Sequence, residues 1–210
     1  GRLTKLRLMK GKAAHKCHHI ENIKKLSQNM AGESDGFHAN RKFAAIPLSG
    51  PGGVIGILKL SETGRLPDSP LPAVQNGSTV VDFAWDPTDD CRLVTACDDA
   101  KIRVWTIPED GPGQLLTEPT QVLQGHMEKV YFVKFHPLAK NVVASASFDM
   151  TCKIWDLDTG EDKISLEGHT DSVLCFNWSA DGQKCATVCK DGLIRVFEPR
   201  KSPSPILEGA

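Results

Sequence analysis

A short phrase recurs along this 210-residue chain: Leu123-Gln124-Gly125-His126, then Leu166-Glu167-Gly168-His169, then Leu207-Glu208-Gly209-Ala210. Its glycines are spaced by 43 and 41 residues. A self-similar period of about 40–45 residues opening on Gly-His is the mark that propeller blades leave in a sequence. The chain closes on the phrase that would open another blade. The expected fold is therefore all-β, a piece of a propeller with the function of a scaffold.

Three segments align on that period. The first runs from Asn76 through the strand-like Val80 to Trp85, then Leu93 to Asp99, then Ile102 to Trp105. The second holds His126, Val130 to Pro137, Val142 to Asp149 and Lys153 to Asp156. The third holds His169, Val173 to Trp178, Ala186 to Asp191 and Ile194 to Phe197. Short runs rich in Val, Ile and aromatics, bounded by Asp, Gly and Pro, read as strand-turn-strand, and no helical periodicity interrupts them.

Upstream, Lys42 to Ile46 and Val54 to Leu60 flank Gly50-Pro51-Gly52-Gly53 and predict two strands of a less regular blade. The expected partition is a basic segment over 1–34, an irregular blade over 35–75, and repeats over 76–124, 125–167 and 168–210. Extra length in the first repeat falls at Pro108 to Gly113, a loop of turn formers. Ser202-Pro203-Ser204-Pro205 predicts an extended, poorly folded connection. An open propeller end should leave the faces of Val173 to Phe176 or Ile55 to Leu60 against water.

Charge is balanced overall, with 25 Lys and Arg against 26 Asp and Glu, but unevenly placed. Residues 1–25 carry Arg2, Lys5, Arg7, Lys10, Lys12, Lys16, Lys24 and Lys25 against Glu21 alone. Such a segment suits an acidic partner, a lipid surface or nucleic acid, or is simply a solvated edge. The basic residues lack interleaved aromatics, so no nucleic-acid reader is expected. No run of 18 apolar residues and no apolar core behind the basic start exists, so no transmembrane segment or signal peptide is expected.

Seven cysteines are an odd number without the spacing of a disulfide framework. Cys152, Cys175, Cys185 and Cys189 fall in predicted strands, where a free thiol acts as a small hydrophobe. Reduced thiols favour the cytosol. His15 and Cys17-His18-His19 lack a second spaced pair of ligands, so no metal is expected. Gly50 to Gly53 is followed by no Gly-Lys-Ser/Thr and makes no phosphate loop, and no cofactor is expected.

In the second repeat, His126, Ser145 and Asp149 have the residue types of a hydrolase triad. The repeat speaks against catalysis. Matching positions carry His169, Thr187 and Asp191 in the third repeat, and Asn76, Thr95 and Asp99 in the first. A catalytic centre is needed once, whereas a structural network recurs. With Trp155, these groups make a closed chain in which indole donates to Ser145, hydroxyl to His126, and imidazole to Asp149. Trp105 stands at the indole position of the first repeat, while Phe197 lacks that donor in the third. Only the second repeat has all four members.

The repeats resemble WD40 repeats, with Trp155-Asp156 the literal Trp-Asp pair. More specifically, the chain resembles coronins. The likeness rests on Gly64-Arg65-Leu66-Pro67, Val104 to Gly111, His136 to Val142, Thr187 to Asp191 and Val196 to Arg200, and spans roughly residues 20–201. His19 to Asn22 and Gly32 to Asn40 carry a likeness to the second propeller of the long, tandem-propeller coronins.

That resemblance implies a seven-bladed propeller, of which this chain supplies about four blades, and a non-enzymatic, cytoplasmic scaffold. The implied partner is filamentous actin, through which such scaffolds organise the cytoskeleton. Lys24 and Lys25 match the filament-binding basic residues of the first blade in short coronins, although residues 28–33 are extra relative to those proteins. The long type also implies a place at the Golgi or vesicle periphery, where the alternative role is a trafficking adaptor that recruits other protein partners.

Overall fold

Apolar runs broken by Asp, Gly and Pro turns form strands. The computed structural model, which describes residues 11–13, 15–29 and 34–210, gathers them into four successive sheets. Blade 1 holds His38–Ala39, Phe43–Leu48, Val54–Lys59 and Ala73–Gln75, with Leu115–Leu116 added in parallel at its edge. Blade 2 holds Val80–Trp85, Arg92–Cys97, Lys101–Thr106 and Gln121–Gln124. Blade 3 holds Val130–Phe135, Val142–Ser147, Cys152–Asp156 and Glu161–Leu166. Blade 4 holds Val173–Trp178, Cys185–Cys189, Ile194–Phe197 and Leu207–Gly209.

Blades 2 to 4 are plain antiparallel meanders in chain order. The opening strands of successive blades pack on one another from blade 1 to blade 4. In blades 2 to 4 the opening strand carries a bulge at the same place, between Val80 and Asp82, Val130 and Phe132, and Val173 and Cys175. The extra residue increases the local twist that turns one blade against the next.

The core lies between the blades. Phe43, Ile55 and Val74 of blade 1 pack on Phe83, Leu93 and Trp105 of blade 2. Val94, Ile102 and Leu123 of blade 2 meet Val133, Val143 and Trp155 of blade 3. Phe132, Ile154 and Leu166 of blade 3 meet Phe176, Cys185 and Phe197 of blade 4. Each of the larger side chains contributes roughly 1.5–3 kcal/mol by leaving water. A blade covered on both faces needs apolar residues at consecutive positions, which is why Leu93-Val94 and Val143-Ala144 break the usual alternation.

Blade 4 alternates instead. Cys185, Thr187 and Cys189 point inward, while Val188 and Ile194, paired across the sheet, are 39% and 50% exposed. The expected exposure of Val173 to Phe176 is only half met: Val173 and Phe176 are buried, and Leu174 and Cys175 face out. Cys175 thus departs from its expected place among apolar residues. The expected exposure of Ile55 to Leu60 fails for its first part. Ile55 and Ile57 lie under blade 2, and Leu58 is covered by Ile20, Ile23, Leu66 and Leu71.

Two loops are more structured than their sequences imply. The 108–120 loop crosses to blade 1, where Leu115–Leu116 pairs with Ala73 and Val74 and Glu109 contacts Lys42 at 3.2 Å. The 202–205 connection, expected to be poorly folded, is pinned to blade 3, because Glu167 N donates to Pro203 O at 3.0 Å.

Candidate functional site

In blade 3 the four repeat residues form one chain of hydrogen bonds. Trp155 Nε1 donates to Ser145 Oγ at 2.7 Å, and Ser145 Oγ lies 2.7 Å from His126 Nε2. His126 Nδ1 lies 2.9 Å from Asp149 Oδ2. An indole can only donate and a carboxylate can only accept, so the direction is fixed: indole to hydroxyl, hydroxyl to Nε2, Nδ1–H to carboxylate. Asp149 also accepts the Met127 amide at 2.8 Å, the Thr151 amide at 2.9 Å and the Thr151 hydroxyl at 2.6 Å. Burial alone would raise its carboxyl, but the bonds from His126, Thr151 and Met127 hold it well below the usual carboxylate range. His126, Ser145 and Trp155 are buried. No open cleft reaches the Ser145 hydroxyl through them.

Blade 2 reaches the same closure differently. Thr95 Oγ1 donates to Asn76 Oδ1 at 2.6 Å, and Trp105 Nε1 lies 3.2 Å from both Asn76 Oδ1 and Thr95 Oγ1. The Asn76 amide then donates to Gly53 O at 2.8 Å, tying the network to blade 1. Asp99, expected in this network, is outside it and pairs with Arg103 at 2.6 Å.

Blade 4 is incomplete. His169 Nε2 lies 2.8 Å from Thr187 Oγ1, but Nδ1 is buried without an aligned hydrogen bond. Asp191, expected to take that proton, accepts the Thr170 hydroxyl at 3.0 Å and meets Arg195 at 2.9 Å. Burial, with Arg195 nearby, holds the His169 imidazole below its usual value. A signal for both corrections lies in the sequence. Where the acid is followed four residues later by Arg, as at Asp99 and Arg103 or Asp191 and Arg195, the guanidinium takes it. In blade 3 that position is Lys153, which pairs with Asp162 instead and leaves Asp149 to His126.

Adjacent inner strands are joined by polar contacts that the repeat did not reveal. Asp82 Oδ2 accepts the Val133 amide at 3.0 Å, and Trp85 donates its amide to His38 Nδ1 at 3.1 Å. Burial raises the Asp82 carboxyl to about 6, against the bonds from Val133 and Ser34.

The two basic candidates differ. Lys24 forms an ion pair with Asp68. Lys25 is exposed, and among the described residues no carboxylate lies within 4.0 Å of its ammonium. Its backbone is fixed at φ 58° by Ser49, whose amide and hydroxyl bond to the Lys25 carbonyl at 2.6 and 3.1 Å. Arg2, Lys5, Arg7, Lys10, Gly32 and Glu33 lie outside the described residues.

Among the described residues no group of three His, Cys, Asp or Glu side chains is placed to hold a metal; His15 and Cys17 are exposed, 3.2 Å apart. All seven cysteines are free, and burial pushes the Cys97 and Cys185 thiols up to about 12. No helix of the described residues is long and apolar enough to cross a membrane.

Blades of this length, one of them closed by an indole-to-hydroxyl-to-imidazole chain, define the WD-repeat class of β-propeller. The profile of the WD domain, G-beta repeat, matches residues 71–106, 117–156 and 160–198, and a domain of unknown function, DUF1899, matches residues 1–65. Coronin-7 of Mus musculus is 50% identical over the whole chain, and Coronin-7 of Homo sapiens 49%. A coronin-like protein of Saccharomyces cerevisiae is 36% identical over 95% of the chain. The crystal structure of the WD40 domain from Toxoplasma gondii coronin superposes with a TM-score of 0.81 at 31% identity, covering 89% of this chain and 47% of that one. The chain belongs to the coronin family of WD-repeat proteins. It spans 23% of the length of the two Coronin-7 relatives and 32% of the yeast protein.

Proposed function

We propose that this chain is part of a non-enzymatic scaffold that binds actin filaments and helps organise the actin cytoskeleton, with Lys25 as a contact at the basic edge of blade 1. Coronin-family membership over the full chain carries the reading. Its support in the geometry is the contrast between the two lysines. Lys24 is already neutralised by Asp68, in an exposed pair of little energetic worth, whereas Lys25 has no carboxylate of the described residues within 4.0 Å and projects from a fixed backbone. A rim cation of this kind acts on encounter rate and orientation more than as a buried anchor.

Co-sedimentation of the full-length protein with actin filaments over a salt series tests the proposal. Pelleting should weaken as added salt shortens the Debye length below roughly 10 Å. Absence of pelleting at every salt concentration would sink it, and would favour the trafficking-adaptor alternative.

A further inference from the structure

Three serines of this chain stand before proline: Ser69, Ser202 and Ser204. Only Ser69 also has a proline two positions earlier, in Pro67-Asp68-Ser69-Pro70. A serine with prolines two before and one after is the pattern that proline-directed serine/threonine kinases take as substrate. The reason is backbone shape. Each proline fixes φ at about −65° and holds the residue before it extended, so the segment enters a kinase cleft in the form it must adopt there.

The fold presents this serine and ties down the other two. The 66–72 loop is anchored at its ends, where the Leu66 amide donates to Glu21 O at 2.9 Å and the Ile57 amide donates to Pro72 O at 2.8 Å. Between these anchors Pro67, Asp68, Ser69 and Pro70 are all exposed. The Ser69 hydroxyl has no hydrogen-bond partner among the described residues. By contrast, the Ser204 hydroxyl donates to Glu167 Oε2 at 3.2 Å, and Ser202 Oγ accepts the Ser204 amide at 3.1 Å.

Ser69 also borders the basic edge of blade 1. It lines one groove of about 800 Å³ with Lys24, Lys25 and Asp68. Asp68 is already engaged: it pairs with Lys24 and accepts the Asn22 side-chain amide at 3.1 Å. Two lysines against one acid leave the groove at +1. A phosphate on Ser69 brings about −1.5 to −2 at neutral pH and reverses that sign.

We propose that Ser69 is a phosphorylation site for a proline-directed kinase, and that its phosphate pairs with Lys25 and closes the basic edge of blade 1 to an acidic partner. In the transfer, Ser69 Oγ bonds to the γ-phosphorus of ATP as the bond from that phosphorus to the β–γ bridging oxygen breaks. ADP leaves with that electron pair, and the hydroxyl proton passes to the catalytic aspartate of the kinase. The loss of filament binding rests on the contact proposed at Lys25; the modification and the ion pair do not.

The test treats the full-length protein with a purified, active mitogen-activated protein kinase, ATP and magnesium, and maps the phosphate by peptide mass spectrometry. Ser69 should be modified at least about tenfold faster than Ser202 or Ser204, whose local bonds must open first. Phosphorus NMR then follows the Ser69 phosphate, identified by its absence from Ser69→Ala. It should titrate at least about 0.3 pH units below its value in Lys25→Ala, because a nearby cation favours the dianion. Phosphorylated protein should pellet with actin filaments at least about fivefold less at low salt, while kinase-treated Ser69→Ala pellets as the untreated protein does. No phosphate at Ser69, equal rates at the three serines, or the same titration in Lys25→Ala would overturn the proposal. Unchanged pelleting of the phosphorylated protein would overturn the blockade and leave the filament reading intact. Failure of the unmodified protein to pellet would sink that reading, and the mapping and titration would still decide the site.

Discussion

Asp191 lies 2.9 Å from Arg195, and His169 is left with a buried Nδ1 that finds no aligned acceptor. One blade earlier, Asp149 serves the imidazole of His126 at 2.9 Å. The same acid position therefore does two jobs, chosen by the basic residue four positions on. Blade 3 carries the complete network, so its loss should be felt most. Asp149→Ala leaves the His126 Nδ1–H only the Thr151 hydroxyl, 3.1 Å away, and removes the acceptor of the Met127 and Thr151 amides, and should cost about 2–4 kcal/mol in urea unfolding of the intact protein. A cost below about 0.5 kcal/mol, the range of an ordinary surface change, would show that the network is dispensable.

Asp82 should make stability depend on pH in the opposite sense to an ordinary salt-bridged acid. Its folded value, about 6, lies above the unfolded value, so its contribution is complete near pH 4 and is lost as pH rises through about 6. His38, lowered by burial and by Lys134 against Asp35, works the other way and loses stability as pH falls below its usual value. Asp82→Asn separates them. The amide keeps an oxygen for the Val133 N–H, so the variant should gain on the native protein by on the order of 2–3 kcal/mol between pH 4 and pH 8. Denaturant midpoints across that range measure it, and a difference independent of pH would refute the assignment.

Gly182 holds the join between blades 3 and 4. Its φ is 66°, and a Cβ there would sit 2.1 Å from His136 Cε1. Gly182→Ala must strain the turn and displace the ring that bonds to Gly182 O, at a cost of roughly 1–3 kcal/mol. Thermal melting should show a clear fall, and a melt equal to the native one would mean that the ring moves freely.

The bare face of blade 4 should make the isolated 210 residues self-associate. Val188 and Ile194 sit opposite each other and Leu174 is 53% exposed beside them. Apolar patches of this sort promote association. Light scattering at tens of micromolar should report oligomers, reduced by Ile194→Lys. A monodisperse native monomer would contradict this.

The three repeats were readable because each blade repeats one strand pattern, and the Gly-His phrase marks its period. The complete network of blade 3 was readable for the same reason, since its residue types recur and can pair in one direction only. The pairing of Leu115–Leu116 with blade 1 was not, because two residues leave no periodic trace and their partner lies some 40 residues away. Nor was the covering of Leu58 by Ile20 and Ile23, which depends on how the N-terminal segment folds back. The Asp82 contact arises only where two blades meet, so no single repeat records it.

Lys25 gives the most direct measurement of the scaffold reading. Lys24→Glu should act partly by repelling Asp68, whereas Lys25→Glu changes a charge with no ion-pair partner among the described residues and leaves the backbone bonds from Ser49 in place. In co-sedimentation of the full-length protein with actin filaments, Lys25→Glu should pellet less at low salt, and its binding should depend less steeply on salt, with an unchanged melting temperature. Equal pelleting of the variant and the native protein across the salt series would contradict a filament contact at this edge.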